Sequence, residues 1–299
     1  MNFLGLYHLL AVAIVIVWGT TFVSTKVLLL NGLSPAAIFA LRFSLAYVIL
    51  LALSHKRLLC NSVKDELLMV ALGLTGGSLY FLTENMALEY TTATNTSLIV
   101  CSCPLFSTIM ICCFFKEKLT RKQLLGATLA FLGMTAVVLN GQFVLHLSPI
   151  GDMLALAACL CWAGYSVIVR MLTEGYSSLF INRKIFFYGL LTIAPWFMAF
   201  PEQIPAVEQL ATPVVYGNLL FLSVVASLLC YCFWTVCIKN LGVIETTNYV
   251  YLNPIATMVT AALVLSERIT IWFLAGSVLI LLGLYLHNTG EKNVSEESA

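Results

Sequence analysis

The chain has 299 residues, of which 61% are hydrophobic and 10% charged, with a formal net charge of +1. Soluble domains average about 45–50% apolar and about 25% charged residues, so this chain cannot cover itself with polar surface, and its near-neutral charge implies no nucleic-acid partner. Most of its ten cysteines sit inside apolar runs, where cysteine behaves as a small hydrophobe rather than as half of a disulfide.

A spanning helix needs about 20 mostly apolar residues, and ten such runs follow one another. Residues 6–29 form the first; with no basic leader and no small-residue cleavage site at Trp18-Gly19-Thr20-Thr21, it is expected to remain as a span rather than be removed as a signal peptide. Pro35 restarts the chain into 36–54. A polar link leads to 67–89, then 93–115, a charged hinge at 116–122, and 124–140. After a short connection come 151–172, 179–200, 214–238, 243–265 and 271–288, and the polar tail from Thr289 is expected to be disordered.

Lys and Arg in the short links set orientation. With the N-terminus inside, one set of links carries Lys56, Arg57 and Lys64, then Lys116, Lys118, Arg121 and Lys122, then Arg170 and Lys239. The opposite links, 90–93, 141–150 and 201–213, carry none, and Arg268 is the one exception. Both termini are therefore expected to be cytoplasmic.

The chain also contains one pattern twice. Pro104, Glu117, Thr120, Gly126 and Gly133 reappear 150 positions downstream as Pro254, Glu267, Thr270, Gly276 and Gly283. This divides the chain into a first five-helix repeat (1–145), a second (146–288) and a polar cytoplasmic tail (289–299). Five is odd, so the second repeat must enter the membrane in the opposite sense, and the hinge charges agree: four basic residues in 116–122 against one in 266–270. Inverted repeats are the mark of secondary transporters, in which one half rocks against the other around a midplane site. The expected fold class is an all-α integral membrane protein of ten transmembrane helices, built as two inverted five-helix repeats, for which a monomer suffices.

Ala87-Leu88, Tyr90 and Ala93 ahead of Pro104, then Lys116-Glu117-Lys118-Leu119, Gly126 and Gly133, resemble the EamA-type repeat of the drug/metabolite transporter superfamily. The second copy reads Leu241-Gly242, Tyr251-Leu252-Asn253-Pro254, Ser266-Glu267-Arg268, Gly276 and Gly283, and Trp18-Gly19 has a partner in Trp162-Ala163-Gly164. The resemblance covers nearly the whole chain and is specific for the fold rather than for the substrate. It implies a central cavity, alternating access, and export of amino acids, related metabolites or toxic compounds across a bacterial inner membrane.

Ionisable groups within spans cost roughly 2.5–3.5 kcal/mol each at a helix centre on insertion scales. Glu84 lies about 7 Å inside the outer end of its span at 1.5 Å per residue, with Lys26 and Arg42 in the same outer half. Glu84 is either one side of a static ion pair with Lys26 or Arg42, or a proton or amine site that would couple transport to protons. The residue 150 positions on is Trp234, so Glu84 is not scaffold common to both halves. Arg42 does recur: Phe39-x-x-Arg42-x4-Tyr47 matches Phe180-x-x-Arg183-x4-Tyr188. A duplicated residue of this kind is expected to hold helix ends rather than to recognise an asymmetric solute.

Trp18, Trp162 and Trp234 lie well inside spans, away from the interfacial belts where Trp and Tyr collect. Tyr80 shares a helix face with Glu84, Tyr231 with Trp234, and Asn248 with Tyr251. With Tyr165 these form the candidate substrate-binding set, because a ring beside a polar group suits an amphipathic organic solute and a Trp face attracts cations. The alternative is that the rings only fill the bundle. The remaining repeated residues read as architecture. Thr120 and Gln123 form a Thr-x-x-Gln capping box, and Gly126/Gly133, Gly276/Gly283 and Gly73-x-x-x-Gly77 let backbones approach. Pro104 and Pro254 are expected to interrupt helices.

Rival readings find little support. Cys101-x-Cys103, Cys159-x-Cys161 and Cys230-x-Cys232 place thiols two apart, on nearly opposite helix faces, so no pair could chelate one metal ion. No HExxH, GxSxG or P-loop motif points to an enzyme or a cofactor. An uptake carrier, or a channel or scramblase with a continuously open cavity, remains an alternative.

Overall fold

The structure, a computed structural model, describes residues 3–54, 58–90, 96, 99–139, 148–265 and 269–297. Those residues are overwhelmingly helical and contain no strand. The first elements are α1 (Phe3–Leu30), α2 (Pro35–Leu53), α3 (Val63–Gly73), α4 (Leu79–Tyr90), α5 (Cys103–Phe115) and α6 (Arg121–Leu139). The chain continues with α7 (Pro149–Leu172), α8 (Ser178–Ala199), the single turn α9 (Val207–Leu210), α10 (Pro213–Leu220), α11 (Cys230–Leu241), α12 (Val243–Asn248), α13 (Asn253–Leu265) and α14 (Ile271–Glu297).

Local chemistry sets where these helices begin. Ser34, Ser62, Ser148 and Ser177 each accept a hydrogen bond from the backbone N–H three residues on, at 3.1–3.4 Å. Pro35 and Pro149 follow two of these caps, where a missing N–H costs nothing. At α6 the expected capping box is formed: Gln123 N donates to Thr120 Oγ1 at 3.1 Å, and Thr120 N to Gln123 Oε1 at 2.9 Å.

Two long spans widen into a π turn partway. α3 and α4 are joined by Leu74–Ser78, and α10 and α11 by Phe221–Leu229. A π turn lengthens the backbone hydrogen-bond ring and frees carbonyls. Tyr231 Oη donates to Gly76 O at 3.0 Å, and Trp18 Nε1 donates to Ala226 O at 3.0 Å. Gly76 and Ala226 are themselves 150 residues apart.

α6 and α14 pack antiparallel through the repeated glycines. A Cβ at Gly126 would sit 2.6 Å from Gly283 O, and one at Gly133 would sit 2.6 Å from Gly276 O. The reverse holds too, with Gly283 meeting Gly126 O and Gly276 meeting Gly133 O, each at 2.6 Å. Gly73 and Gly77 likewise admit α8, where Tyr188 and Gly189 come against them. Large apolar side chains such as Leu53, Leu132, Met198, Leu263 and Tyr285 are exposed around the outside, as a surface facing hydrocarbon requires.

One expectation needs correction, and the long apolar helices are fewer than the ten expected spans. Seven helices among the described residues are long and apolar enough to cross a membrane, or eight if Ser178–Ala199 and Pro201–Leu210, bent at 117°, count as one span. The segments that fall short of ten are those of Pro104 and Pro254: α5 and α13 have 13 residues each, and 243–265 is broken by a 3₁₀ turn at Tyr249–Leu252. Pro104 and Pro254 interrupt these two segments as expected: a turn at Cys101–Ser102 and the 3₁₀ turn at Tyr249–Leu252 precede them, and each proline stands second in the helix that follows, where a fixed φ and no N–H suit a helix start. Finally, the backbone stays helical to Glu297, beyond the expected end of order at 288. Ala93, His55, Lys56, Arg57, His146, Ser266, Glu267 and Arg268 lie outside the described residues.

Candidate functional site

A cavity lies where α1, α2, α4, α7, α11 and the start of α13 converge. α1 supplies Trp18, Thr21 and Thr25, spaced to share one helix face. α4 follows its π turn with Tyr80, Glu84, Asn85 and Leu88. Arg42, Trp162, Tyr231 and Asn253 complete the polar and aromatic wall, and Cys101 and Cys103 border it.

The rings form one cluster. Trp18 stands edge-on to Trp162 at 5.4 Å and to Tyr231 at 5.7 Å, and Tyr80 lies 5.2 Å from Trp162. The released carbonyls of the two π turns hold Trp18 and Tyr231 by their polar tips, so these rings are fixed before any solute arrives. Glu84, 7% exposed, accepts a 2.9 Å hydrogen bond from Tyr80 Oη. Arg42, 4% exposed, donates from Nε to Ser227 Oγ at 2.8 Å and lies 4.6 Å over the Phe81 ring. Trp162 Nε1 and Asn253 Oδ1 are buried without a hydrogen-bond partner among the described residues, a costly state unless a bound molecule completes them.

Of the nine residues singled out from sequence, Trp18, Tyr80, Glu84, Trp162 and Tyr231 lie on this wall. Tyr165 and Trp234 stand one layer behind, packed on Trp162 at 4.9 Å and on Trp18 at 4.8 Å. Tyr251 is fully buried and does not line the cavity. Asn248 belongs to a different network, bonding to His287 Nε2 at 2.7 Å, while His287 Nδ1 lies 2.9 Å from Gln123 O. Of the two readings left open for Glu84, the ion pair with Lys26 or Arg42 is not formed among the described residues. Lys26 lines an open recess with Glu89 and Glu202, and the ion pairs between described residues are Arg170–Glu117 and Lys184–Glu66. Sequence reasoning missed Arg42, Thr21, Thr25, Asn85 and Asn253 as wall residues; the spacing of Thr21 and Thr25 from Trp18 carried that signal.

The two ends of the bundle differ. Past Leu88 the cavity borders the open recess, which Gln209 also lines. At the opposite end α3 is tied to α8 and to the α7–α8 turn. Glu66 accepts from Lys184, from Tyr188 and, at 2.8 Å, from Cys60 N. Tyr176 Oη donates to Asp65 Oδ2 at 2.6 Å and accepts from Asn61 N at 2.8 Å. Burial, reinforced by Glu66, pushes the Cys60 thiol up to about 11. Burial and the bond to Asp65 push the Tyr176 phenol up to about 12.

The description of the EamA-like transporter family matches residues 5–139 and 149–289, nearly the whole chain. The chain belongs to that family. This EamA-like transporter is 29% identical to a probable amino-acid metabolite efflux pump of Escherichia coli, over 94% of each chain. It is 27% identical to an uncharacterized transporter of Archaeoglobus fulgidus, over 93% of this chain and 96% of that one. A solved crystal structure at 16% identity has the same fold, with a TM-score of 0.75 over 97% of this chain and 99% of the other. Family membership makes the protein a multi-span membrane transporter for small solutes, and the cavity is where a solute would meet buried polar groups and rings together.

Proposed function

We propose that this transporter exports small organic metabolites, amino acids or related amphipathic compounds, from a bacterial cytoplasm across the inner membrane by alternating access. The observation that carries the reading is the buried cavity, in which a carboxylate, a guanidinium and a prefixed aromatic cluster face one enclosed space. The name of the Escherichia coli relative, an amino-acid metabolite efflux pump, supports the solute class.

The halves are read as inverted repeats of five spanning segments each, the short α5 and the broken α12–α13 stretch counting as the fourth in each half. Exchanging each residue for its counterpart 150 positions away turns the Gly126–Gly283 contact into Gly276–Gly133, which is also present. Two contacts that exchange under this mapping are what a two-fold relation produces. The matching π turns add a second correspondence. With both termini cytoplasmic, α1 and α4 end on the outer side, so the cavity borders an outer recess while the Glu66–Lys184–Tyr188 network shuts the inner side. Closure at one end favours an alternating carrier over a continuously open channel or scramblase. Glu84 would supply proton coupling, since a ligand or proton drives the cycle only by binding the two states unequally. One chain encloses the cavity by itself, so a monomer suffices.

The test compares metabolites released by cells making the wild type and Glu84→Gln at matched membrane levels. Enrichment outside with the wild type alone supports export through this cavity. Equal enrichment by both removes Glu84 from the transport path. Depletion from the medium would replace export by uptake.

A further inference from the structure

We infer that Arg42 is the specificity-determining residue of the cavity, holding the carboxylate of the transported solute while Glu84 faces its amine. The inference deepens the proposed function and rests on the cavity being the solute site. A guanidinium this far inside a membrane protein normally has a carboxylate against it, because a buried unpaired charge is costly. Arg42 lies 4% exposed in the cavity wall, and no carboxylate among the described residues is within ion-pair distance of it.

Its surroundings orient it without neutralising it. Ser227, on the second π turn, fixes Nε at 2.8 Å, and the Phe81 ring lies beneath the guanidinium at 4.6 Å. Both contacts leave the terminal nitrogens, the fork that grips a carboxylate bidentately. Glu84 occupies the same wall, close enough to act on Arg42 through space, and is hydrogen-bonded instead to Tyr80. Two opposite charges that share an enclosed space without closing on each other are complementary to a zwitterion laid between them. Trp162 Nε1 and Asn253 Oδ1, both buried and without a partner among the described residues, add a donor and an acceptor. The rings of Trp18 and Tyr231 give an apolar body its surface.

The experiment measures equilibrium binding to purified protein by quenching of tryptophan fluorescence, since Trp18 and Trp162 line the cavity. Three probes share one ring: phenylalanine, phenylalaninamide, which lacks the carboxylate, and 3-phenylpropionate, which lacks the amine. In the wild type, phenylalanine should bind more tightly than the amide by about tenfold or more, the worth of a charged hydrogen bond. Arg42→Gln should bring that ratio close to one while leaving amide binding in place. Arg42→Lys should keep part of the preference, and Ser227→Ala, which removes only the tether, should reduce it. A merely structural Arg42 would lower both affinities together and leave the ratio unchanged; that result overturns the assignment alone. If none of the three probes quenches the wild type, the cavity reading falls, and the assignment with it.

Discussion

The contact between α6 and α14 makes a sharp quantitative prediction. A methyl added at Gly126 would stand 2.5 Å from His287 N and 2.6 Å from Gly283 O, where ordinary contact begins at 3.4 Å. Both obstacles are backbone atoms, so no side-chain rotation relieves the clash and the helices must part by several tenths of an ångström. A gap of about 0.5–1 Å forfeits a quarter to a half of each dispersion contact along a seam, and overpacking of this kind costs about 1–3 kcal/mol. Against that, replacing glycine by alanine inside a helix gains about 1 kcal/mol. Gly217, within α10, isolates that gain, because nothing lies within 4 Å of its added methyl. Gly217→Ala should therefore match or exceed wild-type stability. Gly126→Ala should fall below Gly217→Ala by about 1–3 kcal/mol, the packing penalty with the propensity gain cancelled.

The assay is unfolding of the purified protein by increasing mole fraction of SDS, followed by circular dichroism. Gly126→Ala and Gly283→Ala press on the same contact, so the double variant should cost less than the two single changes added together, the helices having already parted. Equal unfolding midpoints for Gly126→Ala and Gly217→Ala would refute the claim that glycine is required by the approach of the two backbones. Strict additivity in the double variant would refute the shared contact.

Two asparagines should separate stability from recognition. Asn248→Ala breaks the buried bond to His287 and should lower the melting temperature while solute affinity is unchanged; Asn253→Ala, on the cavity wall, should weaken affinity at similar stability. Thermal melts with and without a bound solute distinguish them. Cys60 carries a pH prediction outside the spans. Its thiol is pushed up to about 11 in the folded chain against about 8.5 unfolded. The neutral form is thus favoured by folding, and its contribution is fully present below about pH 8.5 and lost as pH climbs towards 11. The stability gap between wild type and Cys60→Ser, followed by melts from pH 7 to 11, should change in wild type's disfavour over that window, and a flat difference would refute it.

What could be read from sequence was what depends on spacing. The capping box at Thr120 and Gln123 needs only a three-residue interval, and the glycine seam only a seven-residue one repeated 150 positions on. Both are found in the structure. The π turns left no such mark, since a widened turn is an adjustment to packing, even where Gly76-Gly77 permits it. The cavity was legible by half because these helices are apolar on every side. Depth along a span follows from counting residues, but the direction in which a ring points is marked only where polar residues share its face, as Thr21 and Thr25 do with Trp18. Trp18 and Trp234 both lie inside apolar spans, yet one lines the cavity and the other packs behind it.

Arg42 shows how far the surroundings of a repeated residue can differ from those of its counterpart. Its recurrence as Arg183 argued for a scaffold role, on the premise that copies of one motif share one environment. The structure gives the two arginines different environments. Arg42 meets Ser227, the Phe81 ring and the cavity, whereas Arg183 lies over Phe180, one residue from the Lys184–Glu66 pair. On the proposed reading of two inverted halves, a carrier is asymmetric in any single state, because a cavity open equally to both sides would be a pore. Duplicated residues therefore stand at unlike positions, and duplication alone does not assign either copy to structure or to recognition. The group each one faces does.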